Sequence, residues 1–269
     1  MNLAAPSSVQ KLQAALHDKA KESPERRFHA LYDKVYRRDV LAFAYECCKA
    51  NGGAAGVDGQ SFEDIKEYGV ERWLDELTEE LKSRTYRPRP VRRVYIPKPD
   101  GKQRPLGVPT IRDRTVETAA VLVLEPILEA DLQPEQYAYR QNHSALDAVR
   151  HVHKLINTGH GEIVDADLSG YFDSIPHAEL LKSVARRVVD GAMLHLIKMW
   201  RKRRSKKRMS TEESTEVRAI GMRAGALHKG LRSVPCSAIY TCAGLCSAGN
   251  SQGTRDVSER MSSTMPTTW

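Results

Sequence analysis

The segment GEIVDADLSGYFDSIPH, residues 161–177, combines a short apolar run with three aspartates and an aromatic pair. Residues 163–168 fit a short strand, and the period of two along a strand places Asp165 and Asp167 on one face. A carboxylate at the end of a buried strand is costly unless a cation or hydrogen bonds offset its charge. Magnesium suits oxygen ligands of this type. Taken alone, the segment also fits a structure in which Asp167 caps the turn and Asp173 caps the next helix, with no metal.

The composition is that of an ordinary globular protein, with 269 residues, of which 41% are hydrophobic and 28% charged. This length suffices for one large domain or two small ones. The N-terminus lacks a charged-then-apolar signal pattern, and the longest apolar run, residues 119–124, is too short to cross a bilayer. We therefore expect a cytoplasmic protein without a membrane partner. The five cysteines form no C-x-x-C pair, which favours free thiols over a zinc site.

The net charge of +8 suggests a polyanionic partner, but its distribution along the chain is uneven. Residues 1–200 contain 29 basic and 29 acidic side chains, whereas residues 201–269 contain 13 basic and 5 acidic ones. All of the excess positive charge therefore belongs to the C-terminal tail.

Periodicity and capping signals predict helices along much of the chain. The first predicted helix begins at Ser23-Pro24-Glu25, and the second begins at Asp39 and ends at Gly52-Gly53. The next three cover 62–83, 115–132 and 144–156, and the last begins near Pro176-His177. Pro126 is expected to bend or divide the fourth of these helices.

Residues 84–105, RTYRPRPVRRVYIPKPDGKQRP, carry eight basic side chains and one acid, a local charge of +7. Two short β-forming runs, 94–96 and 106–108, flank the turn signal Pro99-Asp100-Gly101-Lys102, so a basic β-hairpin is predicted. The simpler alternative is a solvated charged face. Prolines and β-formers interleaved with arginines favour a fixed surface that contacts phosphates.

These residues resemble the reverse transcriptases of bacterial group II introns. Four blocks carry the resemblance, in the family order: GVDGQSFEDI at 56–65, RRVYIPKPDGKQRPLGVPTIRDR at 92–114, QYAYRQNHSALDAV at 136–149 and VDADLSGYFDSIPH at 164–177. The second and fourth blocks are highly specific. Another bacterial lineage, such as a retron or a diversity-generating element, is the alternative, but the long N-terminal block and the P-K-P-D-G-K hairpin favour the intron type.

The resemblance implies an α+β chain with the fingers and a partial palm of a right-hand polymerase, the reverse transcriptase fold. The implied division is an N-terminal helical extension at 1–50, fingers at 51–160, the start of the palm at 161–200 and a disordered tail at 201–269. The implied partners are an RNA template (intron RNA), a DNA primer and a deoxynucleoside triphosphate, and the implied cofactor is Mg²⁺.

By the same resemblance, Asp167 corresponds to the first catalytic aspartate and is the metal ligand. Lys98 and Arg104 correspond to the pair that grips the incoming triphosphate, and Phe172 to the aromatic residue that selects deoxynucleotides. Arg140 is the remaining candidate nucleotide contact. The expected nucleic-acid contacts are Arg87, Arg89, Arg92, Arg93, Lys102, Arg112 and Arg114.

The chain departs from the family pattern at two places. Residues 138–144, AYRQNHS, replace the usual Gly-Tyr/Phe-Arg-Pro-Gly-Arg-Ser, with the loss of two turn residues and an arginine. After Trp200, the Tyr-Ala-Asp-Asp hairpin that completes the two-metal site is missing. The sequence therefore predicts a truncated, inactive polymerase, or alternatively a non-enzymatic, maturase-like remnant that binds intron RNA.

The tail suggests an explanation for the missing hairpin. Read in one shifted frame, codons for residues 202–207, 229–233 and 263–269 permit Ala-Pro-Val-Glu-Glu, Gly-Thr-Pro-Gln and Asn-Tyr-Ala-Asp-Asp-Leu, all in family order. We interpret this pattern as a frameshift near Trp200. The alternative is a genuine basic extension that binds RNA.

Overall fold

The computed structural model of the protein describes residues 3–97, 101, 103–138, 140, 142–165, 176–203 and 205–207, and the statements below refer to these residues. The chain is an α+β structure with many helices and one small sheet. Its elements are α1 (Ser7–Glu22), α2 (Tyr32–Val35), α3 (Arg38–Asn51), α4 (Phe62–Tyr68), α5 (Val70–Lys82), β1 (Val91–Pro97), β2 (Gln103–Val108), α6 (Ile111–Glu129), α7 (Ala145–Asn157), α8 (His177–Ala185), α9 (Gly191–Arg201) and β3 (Ser205–Lys207).

Helix α6 is the element around which the N-terminal helices pack, since α1, α2 and α3 all lie against it. Thr110 caps its first turn by accepting a hydrogen bond from the Asp113 amide at 3.1 Å. Most of its side chains are buried, which explains why the helix continues through Pro126 although proline removes one backbone bond. Pro126 was predicted to bend or divide this helix; the division is wrong, and the helix covers 111–129 rather than 115–132.

The boundaries of the N-terminal helices differ in part from the predictions. Helix α1 ends at Glu22 and Ser23 is its C-terminal cap, so the predicted helix start at Ser23 is wrong. Asp39 lies in the first turn of α3, where it forms an ion pair with Arg37 at 2.7 Å. Gly52 ends α3 with a φ of 63°, as its position predicts.

One predicted helix, over residues 62–83, is two helices in the structure. Gly69 lies between α4 and α5 with a φ of 101°, a conformation that side chains with a Cβ rarely adopt. Ser61 and Asp64 form a reciprocal capping box at the start of α4. The amphipathic pattern predicts one continuous helix because a single glycine interrupts helical periodicity only weakly.

The small sheet has β1 at its centre. Strand β2 pairs with β1 in antiparallel register, with Arg93 opposite Gly107 and Ile96 opposite Arg104, which confirms the predicted hairpin. Strand β3 pairs with the other edge of β1 in parallel, with Val91 opposite Ser205.

The segment between α8 and α9 is hydrogen-bonded to the N-terminal part of the chain. Phe28 and Val188 form an isolated bridge, with the Phe28 amide donating to the Arg187 carbonyl at 2.7 Å. The Asp190 carboxylate caps α9 and also accepts from the amides of Leu31 and Tyr32, both at 2.8 Å. Burial opposes ionisation of Asp190, but these amide donors more than offset it and lower the pKa of the carboxyl.

Helix α7 lies where the sequence predicts it, within one residue at each end. None of its residues is buried, and Leu146, Val149 and Val152 expose an apolar stripe. Residues 163–165 are irregular, so the described part of the predicted strand at 163–168 is not a strand, and the remainder lies outside the described residues. Among the described helices, none is long and apolar enough to cross a bilayer.

Candidate nucleic-acid interface

The segment between α5 and α6 carries most of the predicted nucleic-acid contacts. It leaves α5 at Lys82, forms the β1–β2 hairpin and enters α6 at Ile111. A proline at position 88 and another at 90 keep the chain extended before β1. The stretch from Lys82 to β1 and the stretch from β2 to Ile111 form the root of the hairpin, and these two stretches meet at the start of α6.

Asp113 holds the two ends of this root together. Its side chain is fully buried, and its two carboxylate oxygens accept from the Tyr86 hydroxyl at 2.7 Å and from the Arg89 amide at 3.0 Å. Trp200 donates from Nε1 to the same Tyr86 oxygen at 3.4 Å. Burial, together with the charge of Asp113, raises the pKa of Tyr86 well above its usual value, so the phenol stays protonated and donates.

Sequence reasoning did not identify Asp113, although it lies within the quoted block IRDR. This block is basic, and an acid between two arginines suggests only that it offsets their charge. The available signal was its position three residues after Thr110, where a capped helix begins.

Two of the predicted nucleic-acid contacts, Arg112 and Arg114, hold the protein together in the structure. Arg112 forms an ion pair with Glu80 and lies 5.1 Å from the centre of the Tyr86 ring. Arg114 donates to the carbonyls of Gly52 and Ala54 at 3.1 and 3.0 Å. Burial lowers the pKa of both guanidinium groups.

The loop that follows α3 packs against the same turn of α6. Gly56 approaches Thr110 so closely that a Cβ added there would lie 2.6 Å from the Thr110 Cα. Only glycine fits this contact without a backbone shift. The GVDGQSFEDI block and the root of the hairpin are therefore packed as one unit.

Arg87 and Arg89 are the exposed members of the predicted set. Arg87 donates to the carbonyls of Arg84 and Tyr86, at 2.9 and 2.7 Å. The Arg89 side chain is 51% exposed and forms an ion pair with Asp58 at 3.3 Å. Both side chains keep donors at the surface, as contacts to phosphate require.

Arg92 and Arg93 lie on the central strand β1, where both are half-buried. Arg92 is opposite Val108 and Arg93 is opposite Gly107, while residues of β3 pair with both from the other edge. Their backbone positions are therefore fixed on both sides.

Several of the predicted residues are not described by the structure. Lys98, Lys102, Asp167, Phe172 and Asp173 lie outside the described residues, and only the backbone position of Arg104, in β2 opposite Ile96, is described. Within the described ranges, no group of three or more His, Cys, Asp or Glu side chains is arranged to hold a metal ion. The assignments of Asp167 and Mg²⁺ stay predictions.

Arg140, the remaining nucleotide-contact candidate, is engaged with its own loop. Its guanidinium forms an ion pair with Glu129 at 2.6 Å and donates to the carbonyls of Gln133 and Gln136, both at 2.8 Å. The side chain is only 11% exposed. In this conformation Arg140 shapes the turn between α6 and α7, where the usual turn residues are absent.

Glu117, one turn after Asp113, is a second buried acid near this root. It forms an ion pair with Arg203, and the two side chains are 3% and 6% exposed. Burial raises the pKa of Glu117 to about 7 despite the adjacent guanidinium. The pair connects the chain that follows α9 to the centre of α6.

Comparison with known proteins finds similarity to reverse transcriptases. Residues 96–227 match the family model described as reverse transcriptase (RNA-dependent DNA polymerase). Protein YkfC of Escherichia coli is 38% identical over 197 residues, which cover 70% of this chain and 51% of that protein. The group II intron-encoded protein LtrA of Lactococcus lactis is 30% identical over 181 residues, 66% of this chain and 29% of that protein.

More distant similarity extends to a yeast intron protein. The putative COX1/OXI3 intron 1 protein of Saccharomyces cerevisiae is 28% identical over 159 residues, 59% of this chain and 19% of that protein. The chain spans about half of the length of Protein YkfC and less of the two intron-encoded proteins.

The Glu117–Arg203 pair predicts a distinctive pH dependence of stability. Because the pKa of Glu117 is about 7 in the folded chain and 4.5 in a model peptide, the folded state holds its proton more tightly. The contribution of Glu117 to stability is thus complete below pH 4.5 and is lost as the pH rises through 7. Relative to the Glu117→Gln variant, the wild-type free energy of unfolding should fall by about 1 kcal/mol per pH unit between pH 5 and 7.

Urea unfolding of both proteins at pH 5.5, 6.5 and 7.5 measures this difference. Glu135→Gln, an exposed position, is the matched control and should differ from wild type by a constant amount. A constant difference for Glu117→Gln over the same range would contradict the assignment.

Proposed function

We infer that this chain, a relative of the group II intron-encoded reverse transcriptases, supplies the nucleic-acid-binding fingers and the first palm segment of an RNA-directed DNA polymerase. The basic segment of residues 84–114, which contains the β1–β2 hairpin, carries this proposal. It has a local excess of arginine, its root is fixed by a buried carboxylate, and the family match begins within it. The four-part division at residues 50, 160 and 200 is part of the same proposal.

The proposed substrates are an RNA template, a DNA primer and a deoxynucleoside triphosphate. In this assignment Arg87, Arg89, Arg92 and Arg93 hold the template backbone, because each places a cationic donor on or beside β1. Lys98 and Arg104, on either side of the hairpin turn, hold the triphosphate.

Asp167 is the proposed ligand of Mg²⁺, and a carboxylate oxygen is the donor that this ion prefers. When bound, Mg²⁺ would lower the pKa of the primer 3′-hydroxyl and neutralise charge on the leaving pyrophosphate. Phe172, five residues later, is proposed to crowd the sugar 2′ position and so to select deoxynucleotides.

The second candidate function is non-enzymatic binding of intron RNA by a maturase-like chain. It is favoured by the sequence, which contains the basic segment and the GVDGQSFEDI block but no Tyr-Ala-Asp-Asp within the 269 residues. RNA binding is common to both candidates, and DNA synthesis distinguishes them.

RNA binding through β1 predicts a change in salt dependence when its two arginines are neutralised together. The variant Arg92→Gln/Arg93→Gln should bind a single-stranded RNA about tenfold more weakly at 0.1 M salt, with the slope of log K against log salt reduced by about 1.4. Fluorescence anisotropy titrations at several salt concentrations measure both quantities.

The matched control is Arg26→Gln/Arg27→Gln, a second pair of adjacent arginines, both exposed, in the connection between α1 and α2. It changes the net charge equally but lies outside the basic segment, so its slope should equal that of wild type. Equal slopes for the two double variants would overturn the proposed RNA-binding surface.

The 269 residues alone are expected to lack polymerase activity, because one palm aspartate cannot hold two metal ions. A primer-extension assay with an RNA template and Mg²⁺ should show no added deoxynucleotides, and Asp167→Ala should bind RNA as wild type does. Extension that requires Mg²⁺ and is lost in Asp167→Ala would instead establish the enzyme and exclude the binding-only function.

The frame change near Trp200 is also a proposal, and two observations weigh against placing it there. The family match continues to residue 227, and Arg203 is packed against Glu117. Determining the nucleotide sequence across codons 195–269 settles the matter. We expect the shifted frame to remain open through a Tyr-Ala-Asp-Asp codon run, and a stop codon before that run would refute the frame change.

A further inference from the structure

A cavity of about 330 Å³ lies beside the basic segment, and the proposed polymerase function uses only Arg89 of its lining. The block after Gly56, the helices α4 and α5, and the root of the hairpin enclose it. Its lining includes Asp58, Gln60, Tyr68, Trp73, Glu76, Arg89 and Arg112. The volume is at the lower end of the range for small-ligand sites, which suits one nucleobase rather than a larger molecule.

The ring of Tyr68 supplies flat apolar surface in the lining. Tyr68 is 44% exposed, and its hydroxyl donates to Glu76 at 2.6 Å, which fixes the ring position. The Arg72 guanidinium lies 4.7 Å from the centre of the same ring. Trp73 is almost completely buried. Unpaired bases are commonly held by stacking on such rings.

The polar groups of the cavity include both strong acceptors and strong donors. Asp58 and Glu76 present carboxylate oxygens, while Arg89 presents guanidinium donors. Arg112 also lines the cavity, but it is paired with Glu80, another lining residue. Asp58 and Arg89 share only one contact of 3.3 Å, and half of the Arg89 surface is open. Arg89 can therefore exchange its contact with Asp58 for one with a ligand at little cost.

Guanine is the base whose edges match this set of groups. Its O6 and N7 atoms accept from arginine, and its N1–H and exocyclic amino group donate to carboxylate oxygens. Uracil offers a single N–H and no exocyclic amino group, so it leaves the carboxylates without a second donor.

We propose that this cavity binds a single guanine base turned out of a single-stranded RNA that lies along the basic segment. The proposal rests on the RNA-binding function above and adds base selectivity to it. Selectivity arises here because phosphate contacts alone do not distinguish sequences.

The test compares a twelve-nucleotide oligouridine RNA with the same RNA carrying one central guanosine, by fluorescence anisotropy at constant salt. Wild type should bind the guanosine-containing RNA about tenfold more tightly, and inosine, which lacks the exocyclic amino group, should recover only part of that gain. Tyr68→Leu and Glu76→Gln should each reduce the preference to about twofold or less. Both positions are exposed, so the fold should tolerate these changes.

Glu67→Gln is the control for Glu76→Gln, since it removes the same charge from an exposed position of α4 outside the cavity. It should retain the full guanosine preference. Tyr68→Phe keeps the ring and loses the hydroxyl, so it should retain more of the preference than Tyr68→Leu.

Two outcomes would overturn the cavity assignment, namely equal binding of both RNAs by wild type or a preference that survives in Tyr68→Leu and Glu76→Gln. Either outcome, with salt-dependent RNA binding intact, leaves the proposed function standing. If neither RNA binds, the proposed function fails, and saturation-transfer NMR with guanosine 5′-monophosphate tests the cavity alone. Transfer that is lost in Tyr68→Leu would support the cavity, and no transfer in wild type would refute it.

Discussion

The buried carboxylate of Asp113 is the interaction on which the candidate interface depends. It accepts from Tyr86 and Arg89, which lie before the hairpin, and belongs to the helix that follows it. A buried carboxylate is stable only when its oxygens are satisfied, so the chain cannot move the hairpin root without exposing an unpaired charge. One side chain thereby determines where the basic hairpin leaves the protein.

Arginine has two distinct roles in this chain, and composition alone does not separate them. Arg114, Arg140 and Arg187 satisfy backbone carbonyls at loop ends, and Arg203 neutralises a buried acid. Such positions use the planar fork of donors that lysine lacks. The number of basic residues therefore overstates the surface that is open to a polyanion, because these four arginines are engaged within the protein.

The sequence was informative where a local rule was sufficient. Turn residues between two β-forming runs predicted the hairpin, and the capped amphipathic pattern of residues 144–156 predicted α7 closely. The predicted helix start at Ser23 is wrong because the serine–proline pair there follows a helix instead of preceding one. Asp113, Glu117 and Arg140 were not predicted as structural groups, because their roles depend on partners 11 to 86 residues away, which periodicity does not encode.

The contact between Gly56 and Thr110 has a mechanical consequence. The loop after α3 and the root of the hairpin both rest on the first turn of α6, through this contact, through Arg114 and through Asp113. A displacement of that turn would carry both surfaces together, so the spacing between them is constant while their common orientation can vary. A nucleic-acid strand bound by both surfaces, as proposed above, would therefore meet them at a constant distance from each other, set by the first turn of α6.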